Sequence, residues 1–271
     1  MALGIITGSG THSLPGFEGD SPHPQGTEWG DALVSRGQIA GVEVLHISRH
    51  GEGHVRLSNH VTHQANIAAL KRLGAIGAIA VTACGAVDPE VELGSLICFD
   101  DLHFLANRLP DGSLCSFHQD AGHPERGHWI FEDPYSPALR AALLAGAAEA
   151  GLPMRDGGCY GHVDGPRFNT KAEIRGLAAG GVTAVSQTAG PETVLAGEAE
   201  LPFALIGYAT DYANGVKDEP TPVKRLLELI AASSESFALL LAAAVPKAAA
   251  AQPAPSGVVY RFHSELSLIH I

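Results

Sequence analysis

The stretch "AIGAIAVTACG", residues 75–85, is a run of small and branched apolar side chains that carries no charge and ends on a glycine. Such a run is typical of a strand that is buried on both faces of a parallel sheet. The segment before it, 62–74, repeats apolar residues at helical spacing and stops at Gly74. A helix that leads into a doubly buried strand predicts an α/β fold.

The same alternation continues outward along the chain in both directions. Further strands are predicted at 3–7, 41–48, 94–104, 157–163, 183–187 and 202–212. Further helices are predicted at 136–151, 170–181, 190–201 and 221–245. Ser136 before Pro137, and Thr221 before Pro222, are typical helix starts. The pattern is that of an α/β protein built around one sheet.

The length and composition suit one large domain. The chain has 271 residues, of which 45% are hydrophobic and 17% charged, as expected for a folded protein with a sizeable core. We predict a single domain over residues 1–246. The stretch "PKAAAAQPAPSG" that follows indicates a flexible linker, and residues 247–271 are interpreted as this linker and a tail whose last residues resemble those that cloning adds.

The charge and the apolar runs exclude several classes of partner. The formal net charge of −12 argues against general nucleic-acid binding, because a polyanion needs a basic surface. The N-terminus has no signal-peptide pattern, and the longest apolar run, 237–245, is too short to cross a bilayer, so no membrane partner is expected. The four cysteines form no CxxC pair, which favours a reduced, cytoplasmic protein.

A cationic cluster follows the predicted strand 41–48. The stretch "HISRHGEGH", residues 46–54, carries one arginine and three histidines. Other predicted strands also end on polar residues, and ligand sites of open α/β sheets gather at such ends. These strand-end residues are Ser9, Arg49, His50, Thr82, Thr188 and Asp211. The cluster could hold a metal or an anion, or it could be ordinary surface polarity.

The spacing favours the anion. His50 and His54 are four residues apart, but two glycines between them break any helix that would align the pair on a metal, so we expect no metal site. Arg49 offers forked donors that suit phosphate. The "TGSG" turn around Ser9 can direct backbone N–H groups and a hydroxyl at the same oxygens. Thr82 and Ala83 add a hydroxyl and an amide from another strand end.

Several motifs resemble those of one enzyme family in order and spacing. They are "SRHGEGH" (48–54), "QANIAALKRLGA" (64–75), "VTACGAV" (81–87), "DGPRFNTKAE" (164–173), "TAGPETVLAGE" (188–198) and "ATDYANG" (209–215). This set resembles the trimeric purine nucleoside phosphorylase and methylthioadenosine phosphorylase family, from about Gly4 to Val245. The resemblance implies a mixed sheet with a distorted barrel surrounded by helices, and a homo-oligomer that is a trimer or a dimer of trimers.

The resemblance also implies the chemistry and its residues. The family cleaves the N-glycosidic bond of purine nucleosides with inorganic phosphate, which is a co-substrate; no cofactor is implied. By position, the phosphate site comprises Ser9, Arg49, His50, Thr82, Ala83 and Thr188. The base and sugar site comprises Phe168, Asn169, Gln187 and Asp211, with His128 lent to a neighbouring subunit. Asp211 is the implied catalytic residue at the purine N7, and Phe168 stacks on the base. Val223, Leu226 and Leu227 are expected to form an apolar pocket for the 5′ substituent.

The favoured substrate is 5′-methylthioadenosine, because a carboxylate at Asp211 accepts a hydrogen bond from a 6-amino group. Three positions depart from the family pattern: Gln187 stands where methionine is usual, Ala213 where adenine-specific relatives often have a second acid, and His63 where an aromatic residue is common. Glu192 is interpreted as a capping or solvated residue, as is Glu198. A 6-oxopurine nucleoside phosphorylase and a catalytically weakened protein that binds aromatic ligands remain as alternatives.

Overall fold

The computed structural model describes residues 2–9 and 14–261. Its strands are β1 (Leu3–Thr7), β2 (Glu18–Gly19), β3 (His23–Thr27), β4 (Gly30–Ile39), β5 (Val42–Ser48), β6 (Ala78–Ala86), β7 (Leu96–Cys98), β8 (Asp101–His103), β9 (Gly127–Ile130), β10 (Met154–Asp156), β11 (Cys159–His162), β12 (Val182–Ser186), β13 (Phe203–Tyr212) and β14 (Val258–Arg261). Its helices are α1 (His63–Arg72), α2 (Pro137–Glu149), α3 (Lys171–Ala179), α4 (Ala189–Glu198) and α5 (Val223–Ala250).

Strand β6, the apolar run of the opening sequence, lies at the centre of the sheet. It pairs in parallel with β1 and β13 and antiparallel with β12. The main path of the sheet runs β10-β7-β13-β6-β1-β5-β4-β2, and β12, β11 and β8 branch from β6. The predicted α/β domain, with a mixed sheet surrounded by helices, is confirmed.

Alternate residues of the central strands face two separate cores. On one side, Ile79 and Val81 pack with Leu240 and Leu241 of α5 and with α2. On the other, Ala78 and Ala80 pack with α1 and α4. Helices α2 and α5 approach so closely at Gly146 that any side chain there would overlap Ala244. A strand covered on both faces has no polar side to show, which is why its sequence is uniformly apolar.

The predicted strand 94–104 is in fact two strands, β7 and β8. The chain turns at Phe99 and Asp100, where the Asp100 amide bonds to the Gly158 carbonyl 3.2 Å away, so that β7 pairs with β13 and β8 with β11. The predicted cap of the last helix also differs. The helix begins after Pro222, and the hydroxyl of Thr221 instead accepts a hydrogen bond from the Tyr212 amide at 3.1 Å.

The interpretation of the chain after residue 246 as a linker is wrong for most of the described part. Helix α5 continues through Pro246 to Ala250, because Val245 and Ala248 extend its buried apolar side. Residues 258–261 then form β14, which pairs antiparallel with β9. The predicted tail, residues 262–271, lies outside the described residues. By length and composition alone α5 could cross a membrane, but its apolar side is packed in the core described above.

Candidate active site

A pocket of about 320 Å³ lies at the ends of β6, β12 and β13. Its size and largely apolar lining suit a small organic ligand. Most of the predicted site residues meet in its wall: Ser9, His50, Thr82, Ala83, Thr188, Phe168, Asn169, Gln187, Asp211 and Leu226. Residues from the strand ends, from two loops and from α5 therefore converge on one cavity, as the strand-end argument predicts.

One end of the pocket suits an anion. The hydroxyls of Thr82, in the middle of β6, and of Ser186, at the end of β12, lie 2.8 Å apart, so that two neighbouring strands present adjoining hydroxyl groups. The prediction that Thr82 ends its strand is therefore wrong. Thr188 immediately precedes α4, makes no side-chain capping hydrogen bond to that helix, and lines the pocket. The positive end of the α4 dipole points the same way, and it favours negative charge.

His50 is neutral in this pocket. Its Nδ1 lies 2.8 Å from the carbonyl oxygen of Arg56, which can only accept, so Nδ1 carries the hydrogen and Nε2 presents a lone pair. Burial, and then the positive charge of Arg49, lower the pKa of His50 to about 4. A neutral imidazole with a free lone pair can accept a hydrogen bond from a protonated phosphate oxygen.

Arg49 does not line the pocket, contrary to the expectation that its guanidinium faces the anion. Its Nε and Nη2 donate to the two carboxylate oxygens of Glu192 at 2.6 and 2.8 Å, and Nη1 donates to the Val81 carbonyl at 2.8 Å. Both charged side chains are 0% exposed. The guanidinium lies directly under Gly8, where any Cβ would overlap Nη1. Arg49 thus packs against the Gly8–Ser9 turn on its buried side and supports it. Glu192 is the buried partner of Arg49 rather than a capping or solvated residue.

His63 is also part of this buried group. It is 2% exposed, and its Nδ1 lies 3.8 Å from a Glu192 oxygen. Burial is the main cause that holds the pKa of His63 well below its usual value. The position where relatives have an aromatic residue therefore contributes a neutral imidazole to the interior beneath the pocket.

Asp211 also lines this pocket. The ladder between β13 and β6 skips Thr210, a bulge that turns Asp211 toward the cavity. The Thr210 hydroxyl donates to Asp211 Oδ1 at 2.8 Å. Burial raises the pKa of Asp211, and this hydrogen bond only partly opposes the shift. The carboxyl therefore holds a proton more readily than an exposed aspartate does.

Apolar and aromatic side chains also line the pocket. Val163, Ile174 and Val185 are among them, together with Phe168, which is 64% exposed. The neighbouring Asn169 is held by its carbonyl, which accepts from Asn214 Nδ2 at 2.7 Å. An aromatic side chain on an anchored loop beside apolar side chains can cover a planar base.

Only part of the predicted pocket for the 5′ substituent lines the cavity, and His128 lies elsewhere. Leu226 lines the cavity together with Ile230, one turn further along α5. Val223 and Leu227 do not line the cavity, and they are 70% and 60% exposed. Leu227 lies about a third of a turn round α5 from Leu226, and Val223 is the first residue of the helix. His128 lies on β9, opposite Tyr260 of β14, and outside the pocket of its own chain.

Sequence reasoning missed several wall residues. Ser58, Ser186, Asn214 and Ile230 line the cavity without having been predicted. Ser186 directly adjoins the predicted Gln187, and Ile230 follows Leu226 by one helical turn, so for these two residues neighbouring positions held a usable signal. Within residues 2–9 and 14–261, no group of three or more His, Cys, Asp or Glu side chains is arranged to hold a metal ion.

Comparison with known proteins agrees with this geometry. A family model described as the phosphorylase superfamily matches residues 2–246. The 6-oxopurine nucleoside phosphorylase of Pyrococcus furiosus is 32% identical over 250 residues, covering 90% of this chain and 92% of its own. The S-methyl-5′-thioadenosine phosphorylase of Bradyrhizobium diazoefficiens is 34% identical over 215 residues, covering 78% of this chain and 70% of its own. The methylthioadenosine phosphorylase of Schistosoma mansoni, solved with adenine, superposes with a TM-score of 0.83 at 25% identity over 92% of each chain. The chain therefore belongs to the phosphorylase superfamily, among the purine nucleoside and methylthioadenosine phosphorylases.

Proposed function

We propose that the protein cleaves the N-glycosidic bond of a purine nucleoside with inorganic phosphate, with 5′-methylthioadenosine as the favoured substrate. The products are then adenine and 5-methylthioribose 1-phosphate, and the enzyme is a pentosyltransferase. The observation that supports this most strongly is that both kinds of group line one cavity. The hydroxyl residues Thr82 and Thr188, which suit an anion, share its wall with the carboxyl of Asp211 and with apolar side chains. In this proposal the hydroxyls form the anion-binding end of the cavity and Asp211 forms the acid end.

Phosphate would act from the anion end. The hydroxyls of Thr82 and Thr188, the turn at Ser9 and the neutral His50 would hold it beneath C1′ of the sugar. As the C1′–N9 bond breaks, its electron pair stays on the purine, and a phosphate oxygen forms the new bond to C1′. Fixing the two reactants together contributes up to roughly 7–11 kcal/mol in ideal cases. Arg49, paired with Glu192, would act by supporting the Ser9 turn.

The departing purine would be stabilised from the other end. A base in the cavity against Phe168 would place its N7 and 6-substituent beside Asp211. Because burial raises the pKa of this carboxyl, it can hold a proton and share it with N7 as negative charge develops there. Gln187, whose amide retains one hydrogen and one acceptor position beyond its bonds to the protein, would meet a sugar hydroxyl.

The choice between base types rests on Asp211. In either protonation state it has an oxygen that accepts from a 6-amino group, so sharing a proton with N7 is compatible with adenine as the favoured base. The second candidate is a 6-oxopurine substrate, and the raised pKa is the observation in its favour, since a protonated Asp211 can donate to a 6-oxygen. The apolar wall of Leu226 and Ile230 suits a 5′-methylthio group with either base.

We also propose that the protein works in the cytoplasm as a homotrimer, without a cofactor. His128, on the strand pair β9–β14 at a distance from its own pocket, would then serve the site of a neighbouring subunit.

The test is phosphate-dependent release of base. We expect purified protein to release adenine from 5′-methylthioadenosine only when phosphate is present, and more slowly to release hypoxanthine from inosine and methylthioinosine. Asp211→Asn should shift the ratio of the two activities toward the 6-oxopurines. Tight adenine binding without release at any phosphate concentration would contradict the proposal and favour a binding protein. Release without phosphate would indicate a hydrolase.

A further inference from the structure

Gln187 lies between two loops that carry different parts of the pocket. We call residues 49–60 the cationic loop, which bears His50, and residues 163–169 the stacking loop, which bears Phe168. The Gln187 side chain accepts a hydrogen bond from the Ser58 hydroxyl at Oε1, 3.0 Å away. Its Nε2 donates to the Arg167 carbonyl, also at 3.0 Å. One amide therefore holds one loop with each of its two atoms.

The contact is too tight for the two bonds to be independent. A Cβ added at Gly165 would overlap both Gln187 Oε1 and the Ser58 hydroxyl. The backbone of the stacking loop thus lies directly against the hydrogen bond that holds the cationic loop. A movement of either loop displaces the amide, and with it the bond to the other loop.

The two loops differ in their other attachments. The stacking loop is also held by the bond from Asn214 to the Asn169 carbonyl and by the ion pair of Arg167 with Glu173. The cationic loop is anchored at its start, where Arg49 donates to Glu192 and to the Val81 carbonyl. Beyond Arg49 its hydrogen bonds fold it on itself, from the Arg56 amide to the His50 carbonyl and from His50 Nδ1 to the Arg56 carbonyl. The bond from Ser58 to Gln187 ties this later part of the loop to the end of β12.

We infer that Gln187 is a positioning residue that couples the two loops, so that the anion-binding and base-stacking groups are held in register. This inference rests on the proposed function for its kinetic consequence, but the coupling itself is a property of the unliganded protein. It predicts that loss of the amide loosens both ends of the pocket together, although Gln187 is a single residue beside the sugar position.

Hydrogen–deuterium exchange of the full chain without ligand tests the coupling. Gln187→Met, which keeps the size of the side chain but removes both bonds, should raise exchange about fivefold or more in both loops. Two matched variants each remove one bond. Ser58→Ala removes only the bond to the cationic loop, and Gln187→Glu keeps an acceptor for Ser58 but loses the donor to Arg167. Because the two bonds are not independent, each of these variants should also raise exchange in the loop whose own bond it leaves in place. An increase confined to the loop whose bond was removed in either single variant, or no increase in Gln187→Met, would overturn the inference.

Kinetics then separate positioning from a purely structural role. For Gln187→Met we expect KM to rise about tenfold for phosphate and for the nucleoside alike, which corresponds to about 1.4 kcal/mol for each, with the midpoint of unfolding nearly unchanged. Because loss of either bond loosens both loops, Ser58→Ala and Gln187→Glu should each raise both KM values, and the product of their effects should exceed the rise in Gln187→Met. If only the nucleoside KM changes, Gln187 contacts the sugar without coupling the loops. If wild-type protein has no activity, the exchange experiment still decides the coupling, and only the proposed function fails.

Discussion

Replacing Glu192 by glutamine should destabilise this protein far more than the same replacement at an exposed ion pair. Arg49 and Glu192 form a bidentate pair with bonds of 2.6 and 2.8 Å, and both side chains are fully buried. Glutamine keeps the size of the side chain and one acceptor oxygen but removes the charge. Arg49 cannot respond by losing its proton, since the guanidinium stays charged in proteins. The variant therefore leaves an uncompensated charge in the core.

The expected cost follows from this burial. Removing one partner of a buried ion pair typically costs about 3–5 kcal/mol. Because glutamine retains one hydrogen-bond acceptor, we expect the lower end, about 3 kcal/mol, against a total stability of about 5–15 kcal/mol for a folded domain. For a chain of this size each kcal/mol lowers the melting temperature by roughly 2–4 °C. The melting temperature should therefore fall by about 6–12 °C.

The chain contains its own matched control. Arg167 and Glu173 form a pair of similar geometry, with bonds of 2.9 and 2.7 Å, but their side chains are 64% and 39% exposed. Glu173→Gln should leave the melting temperature unchanged within error, since water solvates the freed charge and glutamine still completes the capping box of α3. Calorimetry and denaturant titration, both at one protein concentration, measure the two variants side by side.

A melting temperature of Glu192→Gln within 2 °C of wild type would refute this reasoning. It would mean that Arg49 reaches water or another acceptor when Glu192 is neutral. A double variant, Arg49→Met with Glu192→Leu, provides the complementary test. Replacing the whole pair by apolar residues should restore most of the lost stability, because no buried charge remains, while phosphate use stays impaired.

Three further predictions concern the pocket and its surroundings. Burial raises the pKa of Asp211, so its ionised form destabilises the fold at neutral pH; in thermal melts Asp211→Asn should be more stable than wild type at pH 7 and little different at pH 3. Gly165→Ala should push against Gln187 and weaken adenine binding in calorimetry, with a stability loss of about 1–3 kcal/mol. Gly197→Ala should force a methyl group into the Trp129 ring and lower the free energy of unfolding by a similar amount. Denaturant titration followed by tryptophan fluorescence measures this loss.

The sequence predicted the elements whose burial is strong and local. The centre of the sheet and the five helices of the described part were expected, because doubly buried strands and amphipathic helices leave periodic apolar patterns. The hairpin of β3 and β4 was not predicted, because polar and apolar residues do not alternate regularly along its partly exposed strands, which include Pro24 and Gly26. Strands β9 and β14 were also missed. Among the residues that the structure describes they pair only with each other, across more than a hundred residues, and nothing local signals such a pairing.

The candidate site, like the fold, was predicted from the sequence only in part. Motifs at the predicted strand ends named Thr82, Thr188 and Asp211, which do line one cavity. The reason is only partly the expected one, because β13 runs parallel to β6 but β12 runs antiparallel to it, and Thr82 lies within β6. The motifs did not reveal that Asp211 is turned inward by a bulge at Thr210, since a bulge depends on the register with the neighbouring strand. On α5 the apolar pattern marked the pocket region, but only the packed helix separates Leu226 from the exposed Leu227.

By itself the sequence determined the fold class and the chemistry of the strand ends, because both are written in short-range patterns of polarity. Only the tertiary structure decided what each polar group faces. Arg49 looks like a phosphate ligand in its motif, yet it is bound by Glu192, 143 residues away, and supports the turn at Ser9 from beneath. The physical reason is that a buried charge needs a partner in space, and the partner can come from any part of the chain.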